Sequence, residues 1–213
     1  MELKNIQIKW LKDFWYDNLD ESEQYTSRNE QVGKSYALRN DKELYSYVQE
    51  VFKTNSELSG QIGFITKPLG LHADVLWDIS NDHWQHWSTK QAGRTRYVVL
   101  DTDAKEMMHT TVFEQTVDPA TWRGTEPGID SRTISTDKIH GTELANQTSI
   151  HHMHRSFYSH HPEILDLSLS VDEIHKVNIG KIIEWRTNQL HTGQSFKSCG
   201  ATYKLHLTVL TKE

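Results

Sequence analysis

Tyr203-Lys204-Leu205-His206-Leu207-Thr208-Val209-Leu210-Thr211 is the stretch on which the fold turns. Tyr203, Leu205, Leu207 and Val209 alternate with Lys204, His206 and Thr208. Side chains on an extended chain point to opposite faces in turn, so the pattern predicts an antiparallel strand with one apolar and one polar face. The polar face has two fates: it meets water, or it lines the interior of a barrel. The second carries a consequence for Lys204, because an unpaired buried ammonium is costly and calls for an anionic partner.

Working outward, the same strand texture recurs. Gln61–Thr66, Arg94–Leu100, Thr110–Val117 and Val177–Trp185 are short apolar or alternating runs set between Gly, Asn, Asp and Ser. Ile6–Leu11 reads as a strand that opens the domain, and Asp20–Gln24 as a polar turn or short helix. Residues 41–54 read as an amphipathic helix, with Leu44, Val48, Val51 and Phe52 at helical spacing and Asp41 as its cap. Strands without a βαβ rhythm argue for a mostly β fold with flanking helices, a sandwich or jelly roll. Residues 118–170 carry few periodic signals and are too long for an ordinary loop. They read as an insertion within one domain spanning 1–213.

Composition limits the function. The chain has 213 residues with 7 Trp, 8 Tyr and 6 Phe, enough to build a core despite a mean hydropathy of −0.68. No apolar run approaches the roughly 20 residues of a membrane span. A net charge of −6 disfavours non-specific and duplex nucleic-acid binding, which rests on clustered Lys and Arg. Met1-Glu2-Leu3-Lys4-Asn5 lacks the layout of a signal peptide, and Cys199 is the single cysteine. Both fit a reducing cytoplasm.

Three features carry chemistry. His72 and Asp74 flank Ala73, and residues two apart on an extended chain share a face, so an imidazole and a carboxylate converge. That is two thirds of the 2-His-1-carboxylate triad that leaves open positions on non-haem Fe(II). His191, in His191-Thr192-Gly193, follows the Val177–Trp185 run at what reads as a strand–turn junction. Lys204 comes 13 residues after His191 on the polar face of the last strand.

In this order (H-x-D, a long gap, a lone His, then a basic residue on a terminal strand) the chain resembles the Fe(II)/2-oxoglutarate-dependent dioxygenases over residues 40–211. The resemblance is in particular to small phage and bacterial members related to prolyl hydroxylases. It implies a double-stranded β-helix, a cupin-like jelly roll. It also implies Fe(II), 2-oxoglutarate as cosubstrate and O2, with hydroxylation of a substrate coupled to oxidative decarboxylation of 2-oxoglutarate. His72, Asp74 and His191 would be the iron ligands. Lys204 would meet the distal carboxylate of 2-oxoglutarate, where most members have Arg, and Tyr97 would donate a hydroxyl to it. His206 stands where members with Arg often have Ser. The resemblance leaves the substrate open between a free amino acid, a peptidyl side chain, a nucleobase and a small metabolite, and it does not fix an oligomeric state.

The remaining histidines admit a second site. His151, His152, His154, His160 and His161 fall within eleven residues, but without the cysteines or regular spacing usual for zinc. A polar segment of the insertion is the plainer reading. Trp122, Arg123, Arg155 and Tyr158 of the insertion, and Trp77, His83, Trp84, His86 and Trp87 after the H-x-D, are candidates for a substrate wall. Two other functions fit the same residues: a non-catalytic cupin or jelly-roll binding module, and a zinc protein built on residues 151–161.

Overall fold

A computed structural model describes residues 1–27, 30–67, 77–80, 83–86, 93–116, 131–132, 153–154, 170–187 and 189–211. Helix α1 (Asn5–Asp17) opens the chain, where the sequence suggested a strand over Ile6–Leu11. The alternation of Ile6, Ile8 and Trp10 suggested β structure, but Ile8, Leu11 and Trp15 lie at i, i+3 and i+7, and that helical spacing prevails. Leu11 and Trp15 are buried, while Ile6 is 74% exposed on the far side. The Lys4 amide donates to the Gln7 side chain at 2.7 Å and satisfies one of the donors that a helix start leaves open. A 3-10 turn follows at Leu19–Glu21.

The second helix agrees with the sequence. Helix α2 (Lys42–Phe52) starts where Asp41 accepts a hydrogen bond from the Leu44 amide at 2.8 Å. Its buried residues are Leu44, Val48, Val51 and Phe52.

The strands form two main antiparallel sheets. The larger has the order β1 (Glu23–Ser27), β2 (Glu30–Ala37), β3 (Leu58–Ile65), β13 (Lys204–Thr211), β6 (Arg94–Thr102), β11 (Ile182–Arg186). The smaller has the order β10 (Val171–Val177), β7 (Met108–Thr116), β12 (Gln189–Gly193). The run at 177–185 is therefore two strands in two sheets. Gly180 makes the turn between them with φ +80°, a left-handed conformation natural to glycine. Strands β4 (Trp77–Ser80) and β5 (His83–His86) pair as a hairpin. Within 118–170, β8 (Ser131–Arg132) and β9 (Met153–His154) pair with each other, and the rest of that stretch up to 169 lies outside the described residues.

Strand β13 is central, hydrogen-bonded to β3 on one side and β6 on the other. Its apolar face, Leu205, Leu207 and Val209, joins Ile62, Val98 and Leu100 of the neighbouring strands under Leu11, Trp15, Leu44 and Val48 of the two helices. The opposite face of the large sheet meets the small one: Ile65, Tyr97, Val99, Ile183 and Trp185 share a core with Met108, Val112 and Val177. Both faces of β13 are thus covered, and its polar residues point between the sheets. Helix α3 (Phe196–Cys199) plugs the segment before β13 and contributes Phe196 and Cys199 to this inner core.

The two faces of α1 give a direct test. Leu11→Ala should cost about 2–5 kcal/mol by leaving a cavity over the large sheet, whereas Ile6→Ala should stay within about 0.5 kcal/mol. Equal effects in urea denaturation would contradict the helical assignment.

Candidate active site

His191 lies in the middle of β12, not at a strand–turn junction, and is 4% exposed. Its Nδ1 is 3.0 Å from the carbonyl oxygen of Gln189. A carbonyl only accepts, so Nδ1 carries a proton, and in the neutral ring Nε2 is the nitrogen with the lone pair. Holding one ring nitrogen on a carbonyl is how proteins orient an imidazole that binds metal through the other. The Trp185 indole packs on this ring with centroids 4.6 Å apart.

Lys204 begins β13, opposite Ile65 of β3 and Thr102 of β6. Its Nζ sits 5.1 Å from the Tyr97 ring centre and 5.8 Å from that of Phe196. The residue is half-buried, with its ammonium set among these rings. Burial, opposed by the nearby Cys199 thiol, brings its pKa down to about 8. Aromatic faces attract a cation, but they do not neutralise it. Among the described residues no carboxylate pairs with Lys204.

His206 follows on the same face of β13. Its ring lies flat over Gly63 of β3: a Cβ at position 63 would come within 2.7 Å of Cε1 and 2.9 Å of Nε2. Tyr97 stacks on it, with centroids 5.2 Å apart. The Nδ1 of His206 is buried and has no hydrogen-bond partner among the described residues. Burial first, and then the charge of Lys204, push its pKa down to about 3, so the ring is neutral. Tyr97 links the two groups, since its ring also approaches Trp185 at 6.0 Å. His191, Tyr97 and the β13 pair Lys204 and His206, drawn from three strands, thus line one interior.

His72 and Asp74 lie outside the described residues, as do Trp122, Arg123, Arg155, Tyr158, Trp87 and four of the clustered histidines, His151, His152, His160 and His161. Trp77, His83, Trp84 and His86 fall in the β4–β5 hairpin, and His154 in β9. Among the described residues no three His, Cys, Asp or Glu side chains gather as a metal site. The residues present nevertheless fit an iron chelated by a 2-oxo acid: an imidazole oriented by a carbonyl, and, among the described residues, a desolvated cation without a counter-ion and a buried ring nitrogen without a partner two residues on. Trp185, Phe196 and Gly63 were not legible as site residues. Trp185 was readable only as part of an alternating strand.

Burial of His206 sets a pH response. Unfolded, the ring takes up a proton near 6.5; folded, it does so only near 3. Its contribution to stability is full above pH 6.5 and is lost as the pH falls towards 3. Between neutral pH and about pH 4.5, His206→Asn should therefore lose less unfolding free energy than the wild type. Parallel losses in the two proteins would contradict this burial.

No protein family and no curated protein matches the sequence. Solved structures do match in fold. SnoK, a non-heme α-ketoglutarate-dependent carbocyclase of nogalamycin biosynthesis, aligns over 98% of this chain and 77% of its own, at 12% identity and a TM-score of 0.51. SnoN, an α-ketoglutarate-dependent epimerase of the same biosynthesis, aligns over 98% and 73%, at 11% identity and a TM-score of 0.51. SnoN in complex with Fe3+, α-ketoglutarate and nogalamycin RO gives 98%, 76%, 9% and 0.50. The chain has the double-stranded β-helix fold of non-haem, α-ketoglutarate-dependent enzymes across nearly its whole length.

Proposed function

We propose that this protein is a non-haem Fe(II)/2-oxoglutarate-dependent dioxygenase that hydroxylates its substrate. The observation that carries the reading is the Lys204 ammonium, drawn between aromatic rings into the interior that also holds His191, with no carboxylate beside it among the described residues. A desolvated ammonium gains most from an anion brought to its side.

His191 would bind the metal through Nε2, together with His72 and Asp74. Iron with 2-oxoglutarate and O2 supplies the oxidising chemistry when bound. The chain's own residues bind and orient. Lys204 takes the distal carboxylate as a charge-assisted hydrogen bond from a single point charge, not the bidentate fork that Arg offers. His206, neutral and with no partner for Nδ1 among the described residues, is placed to give that carboxylate a second contact, and Tyr97 a third. The Tyr97, Trp185 and Phe196 rings keep water from this end of the site, which strengthens every polar contact made there. The metal-binding imidazoles must be neutral, so activity fails in acid. The substrate is a small molecule or a side chain presented at the metal, and 118–170 and the β4–β5 hairpin are the segments proposed to contact it.

Anaerobic titration with Fe(II) and 2-oxoglutarate tests the reading. A weak visible charge-transfer band that requires both additions, and that His191→Ala and His72→Ala abolish, is the expected result. Lys204→Met should keep iron binding but raise the 2-oxoglutarate requirement at least about tenfold, the loss of one charge-assisted contact. A folded wild-type protein with no band would refute the assignment.

A further inference from the structure

The place of His191 along the small sheet depends on a break in its pairing, and one side chain spans that break. Between Gln189 and His191 the β7–β12 register slips: Gln189 stands opposite Thr116 and His191 opposite Val112. Strand β7 thus places Phe113, Glu114 and Gln115 against the single Leu190. On its other side β7 faces a second irregularity, for Val171 pairs with Phe113 and Glu173 with Val112, leaving Asp172 as an extra residue on β10. Bulges leave main-chain groups without ladder partners and re-aim the side chains beside them.

The Gln189 side chain, 9% exposed as a residue, reaches across this level. Its Nε2 donates to the Phe113 carbonyl on β7 at 3.2 Å and to Asp172 Oδ2 on β10 at 2.8 Å. Its Oε1 accepts the Arg186 amide at 3.0 Å and so ties the end of β11 to the start of β12. The main-chain carbonyl of the same residue accepts the His191 Nδ1–H at 3.0 Å. One residue thus closes three strands and carries the oxygen that sets the histidine's tautomer. Without the side-chain clamp the irregular ladder has a shorter path back to regular pairing. The slip is of two residues, so its relaxation would leave His191 on the same face but shift it along β7, away from its place opposite Val112.

We propose that Gln189 is the positioning residue for His191: its side chain locks the irregular ladder that sets where along the small sheet the imidazole stands, and its carbonyl holds the proton on Nδ1 so that Nε2 faces the metal. This rests on the oxygenase reading only for the identity of the metal; the clamp itself belongs to the metal-free protein. Asp172 acts through Gln189 as an acceptor, so its charge is dispensable and its oxygen is not.

Two readouts test this, neither of them turnover. In the metal-free protein, long-range 1H–15N spectra report which nitrogen of each histidine carries the proton, and His191→Ala identifies the signal. The wild type should show His191 protonated on Nδ1 alone; a proton on Nε2 would overturn the proposal outright. Gln189→Ala should give a mixed tautomer, and its affinity for Co(II), measured by titration with His191→Ala as background, should fall about 10–100-fold, as when an orienting partner of a metal ligand is removed. Asp172→Asn, which keeps an acceptor, should match the wild type in both readouts, while Asp172→Ala should shift in the direction of Gln189→Ala. If Gln189→Ala does not fold, the wild-type tautomer and the two Asp172 variants decide the matter. Unchanged tautomer and Co(II) affinity in a folded Gln189→Ala or Asp172→Ala protein would refute the clamp. A wild type that binds no Co(II) through His191 yet shows the Nδ1 tautomer would instead count against the oxygenase reading and leave the clamp standing.

Discussion

A buried positive charge organises the inner half of this molecule. Lys204 stands on the central strand of the large sheet, on the face turned away from the helices, with its ammonium between the Tyr97 and Phe196 rings. Desolvation lowers its pKa to about 8, which measures how much the charged form lacks. A chain selected for stability alone would place an apolar residue there, since replacing buried charges by well-packed hydrophobic groups is often neutral or better. The cost is understandable if the charge is held for a partner that arrives later. The neighbouring His206, neutral and with no partner for Nδ1 among the described residues, points the same way.

The rest of the architecture makes that placement affordable to the fold. The apolar side of β13 is sealed by Leu11, Trp15, Leu44 and Val48 from two helices, so the strand does not depend on its inner face for burial. Gly63 opens the space in which the His206 ring lies. The aromatic series His206, Tyr97, Trp185 and His191 runs from the large sheet to the small one, at centroid spacings of 5.2, 6.0 and 4.6 Å. At the far end the small sheet abandons regular pairing around Gln189. Regular β structure supplies the frame, and the irregular positions set where the side chains stand along it.

Much of this was legible in the sequence, and the physics says why. Alternation in Tyr203–Val209 announced a two-faced strand, and an Asp before an i, i+4, i+7 pattern announced α2. Lys204 and His206 were legible as the polar positions of the alternating run Tyr203–Val209, whereas Tyr97 and His191 came from the family resemblance, and His191 was expected at a strand–turn junction, not in the middle of β12. The failures are equally instructive. Ile6–Trp10 alternates over a span too short to be distinguished from a helix face. The run at 177–185 conceals a turn because Ile182 and Ile183 resume apolar character at once after Gly180. Gln189 gave no signal, since its role follows from two register slips that no local pattern encodes. His72 and Asp74, the residues that suggested iron, are not among those the structure describes.

The central claim is that Lys204 is kept buried to receive a carboxylate. It is tested most directly by following the Lys204 side-chain resonances against pH by 13C and 15N NMR, with redox-inert Zn(II) present throughout and with or without 2-oxoglutarate. The account predicts a midpoint near 8 in the absence of 2-oxoglutarate and a clear upward move, towards the ordinary 10.5, when it is added. A midpoint already near 10.5, or one that 2-oxoglutarate leaves where it was, would contradict it.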